Sequence, residues 1–121
     1  MARVLFIDDD PFTLETLSRA AAVLGHEAIT ATTGEEALRL ASEQSPDLIF
    51  SDLRLPDYEG IDLLQQLKSQ ENTANIPMYI LSASPAVDAV ERTHAVGAEA
   101  YLNKPIRLQT LMEIIQGHIA S

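Results

Sequence analysis

Reactive polar side chains follow four short apolar runs of the sequence. They are Asp8, Asp9 and Asp10 after the first run, Asp52 after the third, Ser82 at the end of the fourth and Lys104 after the fifth. Two carboxylates about 4 Å apart repel by roughly 4 kcal/mol at an effective dielectric of 20. A group of three therefore needs a neighbouring cation or a raised pKa if the apolar runs bring it together.

Magnesium matches this set of side chains because it takes one or two carboxylates, keeps several waters and is completed by a phosphate. Lys104 is a compact point charge that can meet a phosphoryl oxygen, and Ser82 can donate one hydrogen bond to another oxygen. Asp52 can then act as a nucleophile toward phosphorus and become an aspartyl phosphate. Asp10 is interpreted differently, as the N-cap of the helix that begins at Pro11.

The elements that position these residues alternate between strand-like and helix-like segments. Strands are predicted over residues 3–7, 27–31, 48–51, 78–82 and 100–102, and helices over residues 11–24, 34–44, 61–69, 86–96 and from 107 to 117 or 119. Thr33 and Glu36 form a capping-box pattern, and Gly25 and Gly97 stop two of the helices. The alternation predicts an α/β fold with an open, doubly wound, five-stranded parallel sheet and helices on both faces. Ligands bind at the carboxyl ends of such strands.

Composition narrows the class of protein. The chain has 121 residues, enough for one domain, and it has no cysteine, which excludes disulfides, thiolate zinc sites and cysteine nucleophiles. The net charge of −10 argues against binding to nucleic acid or anionic lipid. No apolar run is long enough for a membrane span, and no signal peptide is evident, so the expected location is cytoplasmic.

His26, His94 and His118 are predicted to be surface residues without a metal.

Five stretches together resemble one known family. They are VLFIDDD at 4–10, LIFSDLRLP at 48–56 with Gly60, ILSA at 80–83, Gly97 with Ala98, and YLNKP at 101–105. Each stretch is weak alone, but in this order they resemble the receiver domain of two-component response regulators over essentially the whole chain, residues 1–121. The resemblance implies the flavodoxin-like strand order 2-1-3-4-5.

The resemblance also implies a role for each residue of the acidic edge. Asp52 is the phosphoacceptor, which takes its phosphoryl group from a phosphohistidine. Asp8 and Asp9 hold Mg2+, Asp9 directly and Asp8 through water, together with Asp52 and the backbone carbonyl of Arg54, and Mn2+ is an acceptable substitute. Lys104 pairs with the phosphate.

Three further expectations come from the same resemblance. The peptide bond between Lys104 and Pro105 is expected to be cis. Ser82 and Tyr101 are expected to form a switch pair, in which the hydroxyl moves toward the phosphoryl group and the aromatic ring turns inward. Arg54 is a bulky basic residue two positions after the acceptor, where the family tunes the lifetime of the phosphate.

The implied partners are a histidine kinase or a histidine phosphotransfer protein upstream and a protein target downstream, without direct contact to nucleic acid or membrane. The expected state is a monomer or a weak, phosphorylation-dependent dimer. No enzymatic activity is expected beyond self-catalysed phosphotransfer and autodephosphorylation.

Three alternatives to a stand-alone regulator or phosphorelay shuttle remain at this point. The sequence contains no output segment after the last predicted helix. The first alternative is therefore a receiver module from a hybrid kinase or multidomain regulator. A pseudo-receiver that acts only by protein binding is a second alternative. The third, a phosphatase of the haloacid dehalogenase type, is disfavoured because it needs an acid two residues after the nucleophile, where this chain has Arg54.

Overall fold

The computed structural model describes residues 2–82 and 95–119 of the chain. Within these ranges, five strands and four helices follow one another. In chain order they are β1 (Arg3–Ile7), α1 (Pro11–Val23), β2 (Glu27–Ala31), α2 (Gly34–Gln44), β3 (Leu48–Asp52), α3 (Gly60–Ser69), β4 (Met78–Ser82), β5 (Ala100–Asn103) and α4 (Leu108–Ile119). No helix in the described ranges has the length and apolar character needed to cross a membrane.

The strands form one parallel sheet in the order β2-β1-β3-β4-β5. This confirms the predicted doubly wound architecture and its strand order. The register places Ile7 beside Ser51 and Ser82 beside Asn103, so the strands end nearly level. Residues that directly follow β1, β3 and β5 therefore meet at one edge of the sheet.

Two apolar layers cover the sheet, as expected when crossovers place helices on both of its faces. On one face, α1 and α4 bury residues such as Leu17 and Leu111 against Phe6 and Phe50. On the other face, α2 and α3 bury residues such as Ala37 and Leu64 against the remaining side chains of the same strands. The central strands are buried on both sides, which explains why their sequences are continuous apolar runs.

Local signals set the starts of α1 and α2 as predicted. The Asp10 carboxylate accepts a hydrogen bond from the Phe12 N–H, with Pro11 as the first helical residue. The Thr33 hydroxyl accepts from the Glu36 N–H, and the Glu36 carboxylate reaches back to the Thr32 N–H. The reciprocal bond thus lands one residue earlier than in the usual capping box.

The predicted boundaries agree with the structure to within one residue in most elements. β3 and β5 each extend one residue further than predicted, to Asp52 and Asn103, and α3 begins one residue earlier, at Gly60. The helix predicted over residues 86–96 lies mostly outside the described residues.

The expectation that the histidines are surface residues is wrong for two of them. The His26 ring is half-buried and accepts a hydrogen bond from the Ala2 N–H through Nδ1. The His118 ring is half-buried in α4, contacts the Tyr79 hydroxyl and meets the Tyr79 ring edge-on. Each ring supplies a hydrogen-bonding nitrogen beside an apolar layer, a role that spacing alone does not reveal. His94 lies outside the described residues.

Candidate functional site

Three carboxylates meet at the carboxyl edge of the sheet. Asp8 and Asp9 follow β1, and Asp52 is the last residue of β3. One oxygen from each lies within 4.8 Å of the others. Asp8 is buried, with 2% of its surface exposed, whereas Asp9 is exposed and Asp52 is intermediate. The expected convergence of these three residues is therefore present in the structure.

Lys104 extends into this cluster from the loop after β5. Its Nζ lies 2.7 Å from Asp8 Oδ2 and 3.3 Å from Asp52 Oδ1. Asp8 also accepts a hydrogen bond of 2.9 Å from the Asp10 N–H, so both of its oxygens have partners. One ammonium group thus faces three carboxylates, which leaves the cluster with a formal charge of −2 when all groups are ionised.

Burial and charge act against each other on Asp52. Burial raises the pKa of Asp52 and the Asp8 carboxylate raises it further, whereas the Lys104 ammonium and the Arg54 backbone lower it, and the net shift is upward. Burial lowers the pKa of Lys104, but the hydrogen bond to Asp8 and the attraction of both carboxylates outweigh it and raise that pKa above its usual value. The ionised form of Asp52 is therefore held in the fold at an energetic cost.

Asp10 lies outside the cluster, as its interpretation as a cap predicts. Its carboxylate accepts hydrogen bonds from Thr13 Oγ1 at 2.8 Å and from the Phe12 N–H at 3.0 Å. The Thr13 hydroxyl and the Phe12 backbone lower the pKa of Asp10. The third aspartate of the run thus starts α1, which leaves the first two for the acidic cluster.

The cluster fits a hard divalent cation. Its donors are carboxylate oxygens, which Mg2+ and Mn2+ prefer. A divalent ion would also neutralise its formal charge of −2. The exposure of Asp9 leaves room for coordinated waters. Arg54 lies two residues beyond Asp52, and a hydrogen bond from its backbone lowers the pKa of the Asp52 carboxyl.

The remaining expected site residues lie on the neighbouring strands. Ser82 ends β4, is buried, and accepts a backbone hydrogen bond of 2.9 Å from the Lys104 N–H. The peptide bond between Lys104 and Pro105 is cis, as predicted. Tyr101, on β5, packs against the apolar layer beneath α2 and α3. Its hydroxyl is buried and has no hydrogen-bond partner in the described part of the chain.

The unpaired hydroxyl of Tyr101 leads to a stability prediction. Burying a hydroxyl without a partner costs about 1–3 kcal/mol. We therefore expect Tyr101→Phe to unfold in urea with a free energy equal to or up to about 1 kcal/mol above that of the wild type. Tyr79→Phe is the matched control, because it removes a hydroxyl that contacts His118, and it should lose about 1 kcal/mol. A larger loss for Tyr101→Phe than for Tyr79→Phe would contradict the structure.

The segment between Asp52 and α3 forms a tight hairpin, although no strand or helix is predicted there from the sequence. Its two arms meet at a single bridge between Arg54 and Glu59, and the Leu55 N–H donates to the Tyr58 carbonyl at 2.9 Å. At its base, the Gly60 N–H donates to the Leu53 carbonyl. A Cβ at Gly60 would overlap the carbonyl oxygen of Asp52, so only glycine fits there. The base of the hairpin is thereby fixed to the end of β3.

The tip of this hairpin contacts α2 through Asp57, a residue without a predicted role. Its two carboxylate oxygens accept hydrogen bonds from the Gly34 N–H at 2.7 Å and the Glu35 N–H at 3.0 Å. The bond from Gly34 is the main cause that lowers the pKa of Asp57. An acidic residue in a loop after a strand was the available signal, but only the fold shows that a helix begins opposite it.

An open groove of about 320 Å3 lies beside Lys104. Its walls come from the start of α1, the end of β4 and the loop before α4. They are mainly apolar and are formed by Phe12, Thr13, Thr16, Leu17, Leu81, Lys104, Pro105 and Ile106. Phe12 keeps 75% of its surface exposed. The acidic edge therefore adjoins an apolar surface.

Curated proteins similar to this chain are bacterial regulators. The transcriptional regulatory protein PrrA of Mycobacterium tuberculosis is 38% identical over 110 residues, which cover 91% of this chain and 46% of PrrA. The chain thus spans about half the length of that relative. The polar-differentiation response regulator DivK of Brucella ovis is 32% identical over 116 residues, which cover 96% of this chain and 94% of DivK.

Solved structures with the same fold cover nearly the whole chain. The chemotaxis protein CheY4 of Vibrio cholerae has a TM-score of 0.90 at 30% identity, with 97% of this chain and 98% of that chain covered. The receiver domain of the sensor histidine kinase PA1611 from Pseudomonas aeruginosa has a TM-score of 0.89 at 28% identity, with 99% and 98% covered. That crystal structure contains a magnesium ion coordinated in its active-site cleft.

The family model for the response regulator receiver domain matches residues 4–116 of this chain. The strand order, the acidic edge and the relatives agree with that match. The chain therefore belongs to the response regulator receiver domain family of two-component systems.

Proposed function

We propose that this chain, as one receiver domain over residues 1–121, accepts a phosphoryl group on Asp52. The observation that carries the proposal is the cluster of three carboxylates around Lys104 at the carboxyl edge of the sheet. Such a cluster carries excess negative charge, which a divalent ion would neutralise. An incoming phosphoryl group would be the reaction partner of Asp52.

The proposed reaction is an in-line displacement at phosphorus. A carboxylate oxygen of Asp52 forms the new O–P bond while the N–P bond of a phosphohistidine breaks, and the electron pair leaves with the imidazole, which takes up a proton. The raised pKa of Asp52 makes its oxygen more basic and hence a better nucleophile. Lys104, already within 3.3 Å of Asp52, would hold a phosphoryl oxygen through its ammonium group.

Asp8, Asp9, Asp52 and the backbone carbonyl of Arg54 are the groups that would hold Mg2+, or Mn2+ in its place. The bound ion would supply positive charge where negative charge accumulates on the transferring group. Asp8 is already paired with Lys104 and the Asp10 N–H, whereas Asp9 is exposed. Asp9 is therefore the better placed of the two for direct ligation, which supports the assignment of Asp8 to a contact through water.

The output would arise from Ser82 and Tyr101. In the proposed switch, the Ser82 hydroxyl donates to a phosphoryl oxygen and Tyr101 occupies the space behind it. Tyr101 is already packed inward against the apolar layer, with its hydroxyl unpaired. The phosphoryl group would thus bias a packing arrangement that the fold already permits.

The proposed partners follow from this chemistry. A histidine kinase or a histidine phosphotransfer protein would supply the phosphoryl group, and the apolar groove beside Lys104 supports a protein donor. A protein target would read the switched surface, in the cytoplasm, with the receiver as a monomer or a weak, phosphorylation-dependent dimer. The activity would be limited to self-catalysed phosphotransfer and autodephosphorylation.

Acetyl phosphate tests the proposal without a known kinase. After incubation with acetyl phosphate and Mg2+, intact-mass spectrometry should show a gain of one phosphoryl group on the wild type and no gain on Asp52→Asn. Chelation of the metal should abolish the gain. Asp62→Asn, which removes an exposed acid in the first turn of α3, is the charge-matched control and should react like the wild type. An unmodified wild type would instead favour a pseudo-receiver that signals by binding alone.

A further inference from the structure

We propose that Asp57 is a positioning residue for the magnesium site, which it controls by fastening the hairpin over residues 53–60 to the start of α2. This inference rests on the proposed function, because it concerns the same site. Asp57 touches neither the acidic cluster nor Lys104. It would act through the backbone of Arg54, the proposed carbonyl ligand.

The contact between the hairpin and α2 is specific in geometry. The two oxygens of Asp57 bind two successive N–H groups, those of Gly34 and Glu35, at 2.7 and 3.0 Å. Both are donors at the start of a helix, which have no partner within the helix itself. The ring of Tyr58 lies against Gly34 so closely that a Cβ there would overlap it. The tip of the hairpin is thus held by a polar contact and a steric one.

The hairpin transmits this restraint to Arg54. Arg54 pairs with Glu59 across the hairpin, and Leu55 pairs with Tyr58 next to the tip. At the base, the backbone of Gly60 fits against Asp52 and Leu53. Because the hairpin is fixed at its base and its tip, the carbonyl of Arg54 has a defined direction. Without Asp57, the tip would keep only the contact of the Tyr58 ring with Gly34, and the carbonyl would be held less firmly.

An alternative role for Asp57 is to cap α2 without any effect on the metal. The chain offers a matched control for this role, because Thr33 caps the same helix through the Glu36 N–H and, among the described residues, makes no hydrogen bond to the hairpin. Thr33→Ala and Asp57→Ala should lower the melting temperature by similar amounts, since each removes a cap of α2. If Asp57 positions the metal site, only Asp57→Ala should change magnesium binding.

The test measures the magnesium dissociation constant of the metal-free protein by calorimetry. Partners of metal ligands change metal affinity by about 10–100-fold when they are removed. Because Asp57 is exposed and acts through the backbone, we expect the lower end of this range. The magnesium dissociation constant of Asp57→Ala should be about tenfold higher than that of the wild type. Asp57→Asn keeps one acceptor oxygen for the same N–H groups and should restore most of the affinity. Asp62→Asn again controls for the lost charge.

Acetyl phosphate kinetics provide the second measurement. The magnesium concentration for half-maximal phosphorylation of Asp57→Ala should rise by the same factor, whereas the rate at saturating magnesium should equal that of the wild type. An unchanged dissociation constant, or an equal change in Thr33→Ala, would overturn the role of Asp57. A wild type that binds magnesium but is never phosphorylated would overturn the proposed function, while the binding data would still decide the role of Asp57.

Discussion

Lys104→Met should lower the free energy of unfolding by about 3 kcal/mol and abolish phosphorylation of Asp52. The methionine keeps most of the length of the side chain, so the loss reports the charge and not the packing. Asp8 would remain 97–98% buried beside Asp52 without its ammonium partner. Removal of one partner from a buried ion pair costs about 3–5 kcal/mol, and the partial exposure of Lys104 places this pair at the lower end.

Urea unfolding of the metal-free protein measures this effect. Arg19→Met is the matched control, because the Arg19–Glu15 pair has the same separation of 2.7 Å but lies on the exposed surface of α1. Its loss should be about 0.3–0.5 kcal/mol. A second substitution, Asp8→Asn, should recover much of the stability lost in Lys104→Met, since it removes the unpaired buried charge. Equal losses for the two cationic residues would show that Lys104 does not stabilise the cluster.

The pH dependence of this pair has a defined sign. The folded-state pKa of Lys104 is raised because its bonds to Asp8 and Asp52 outweigh burial. A cation with a raised pKa stabilises the fold fully below its unfolded pKa and loses that effect as the pH rises through the folded value. The difference between wild type and Lys104→Met should therefore be full at neutral pH and should disappear in alkali above the usual lysine range.

Magnesium at a hundred times its dissociation constant should stabilise the protein by about 2.7 kcal/mol, or about 10 °C in melting temperature. The ion would bind the acidic cluster only in the folded state, where three carboxylates share one ammonium. Asp9→Asn should reduce this shift strongly. The same variant should melt higher than the wild type in the absence of metal, because it removes a carboxylate from a cluster that already has an excess of negative charge.

Thermal melts with and without the metal check this expectation. Asp62→Asn should keep the full magnesium shift, because its carboxylate is not in the cluster. Burial raises the folded-state pKa of Asp52, so its ionisation costs stability above that pKa and costs nothing below the unfolded value of 3.8. The increase in melting temperature caused by magnesium should therefore be largest at neutral pH and should decrease as the carboxyl groups become protonated. A metal-free Asp9→Asn that melts lower than wild type would mean that Asp9 makes a structural bond.

The sequence predicted most of the fold because its signals are local. Strands buried on both faces are short apolar runs, and the caps at Asp10 and Thr33 are single side chains next to their helices. The edge of the sheet that carries the site could also be predicted, because the residues that follow parallel strands meet at the same edge. The strand order came from the family resemblance and is confirmed by the pairing.

The parts that could not be predicted depend on contacts between distant segments. Asp57 and Gly34 are 23 residues apart, and neither has a pattern that points to the other. The Lys104–Asp8 bond spans 96 residues, and the family resemblance predicts only a contact of Lys104 with the phosphate. His26 and His118 were predicted to be surface residues, but each meets a partner from a distant segment of the chain.

The close fit of Gly60 against the carbonyl of Asp52 affects how variation at this site is interpreted. Gly60 takes no part in the proposed chemistry, yet any side chain there would push against the backbone of Asp52, the proposed acceptor. In a library of random variants selected for phosphorylation, Gly60 would therefore be depleted along with Asp52, although only Asp52 has a proposed chemical role and Gly60 only provides space. Intolerance to substitution at this edge would consequently identify only the neighbourhood of the proposed acceptor, and a chemical assay is needed to identify the residue that reacts.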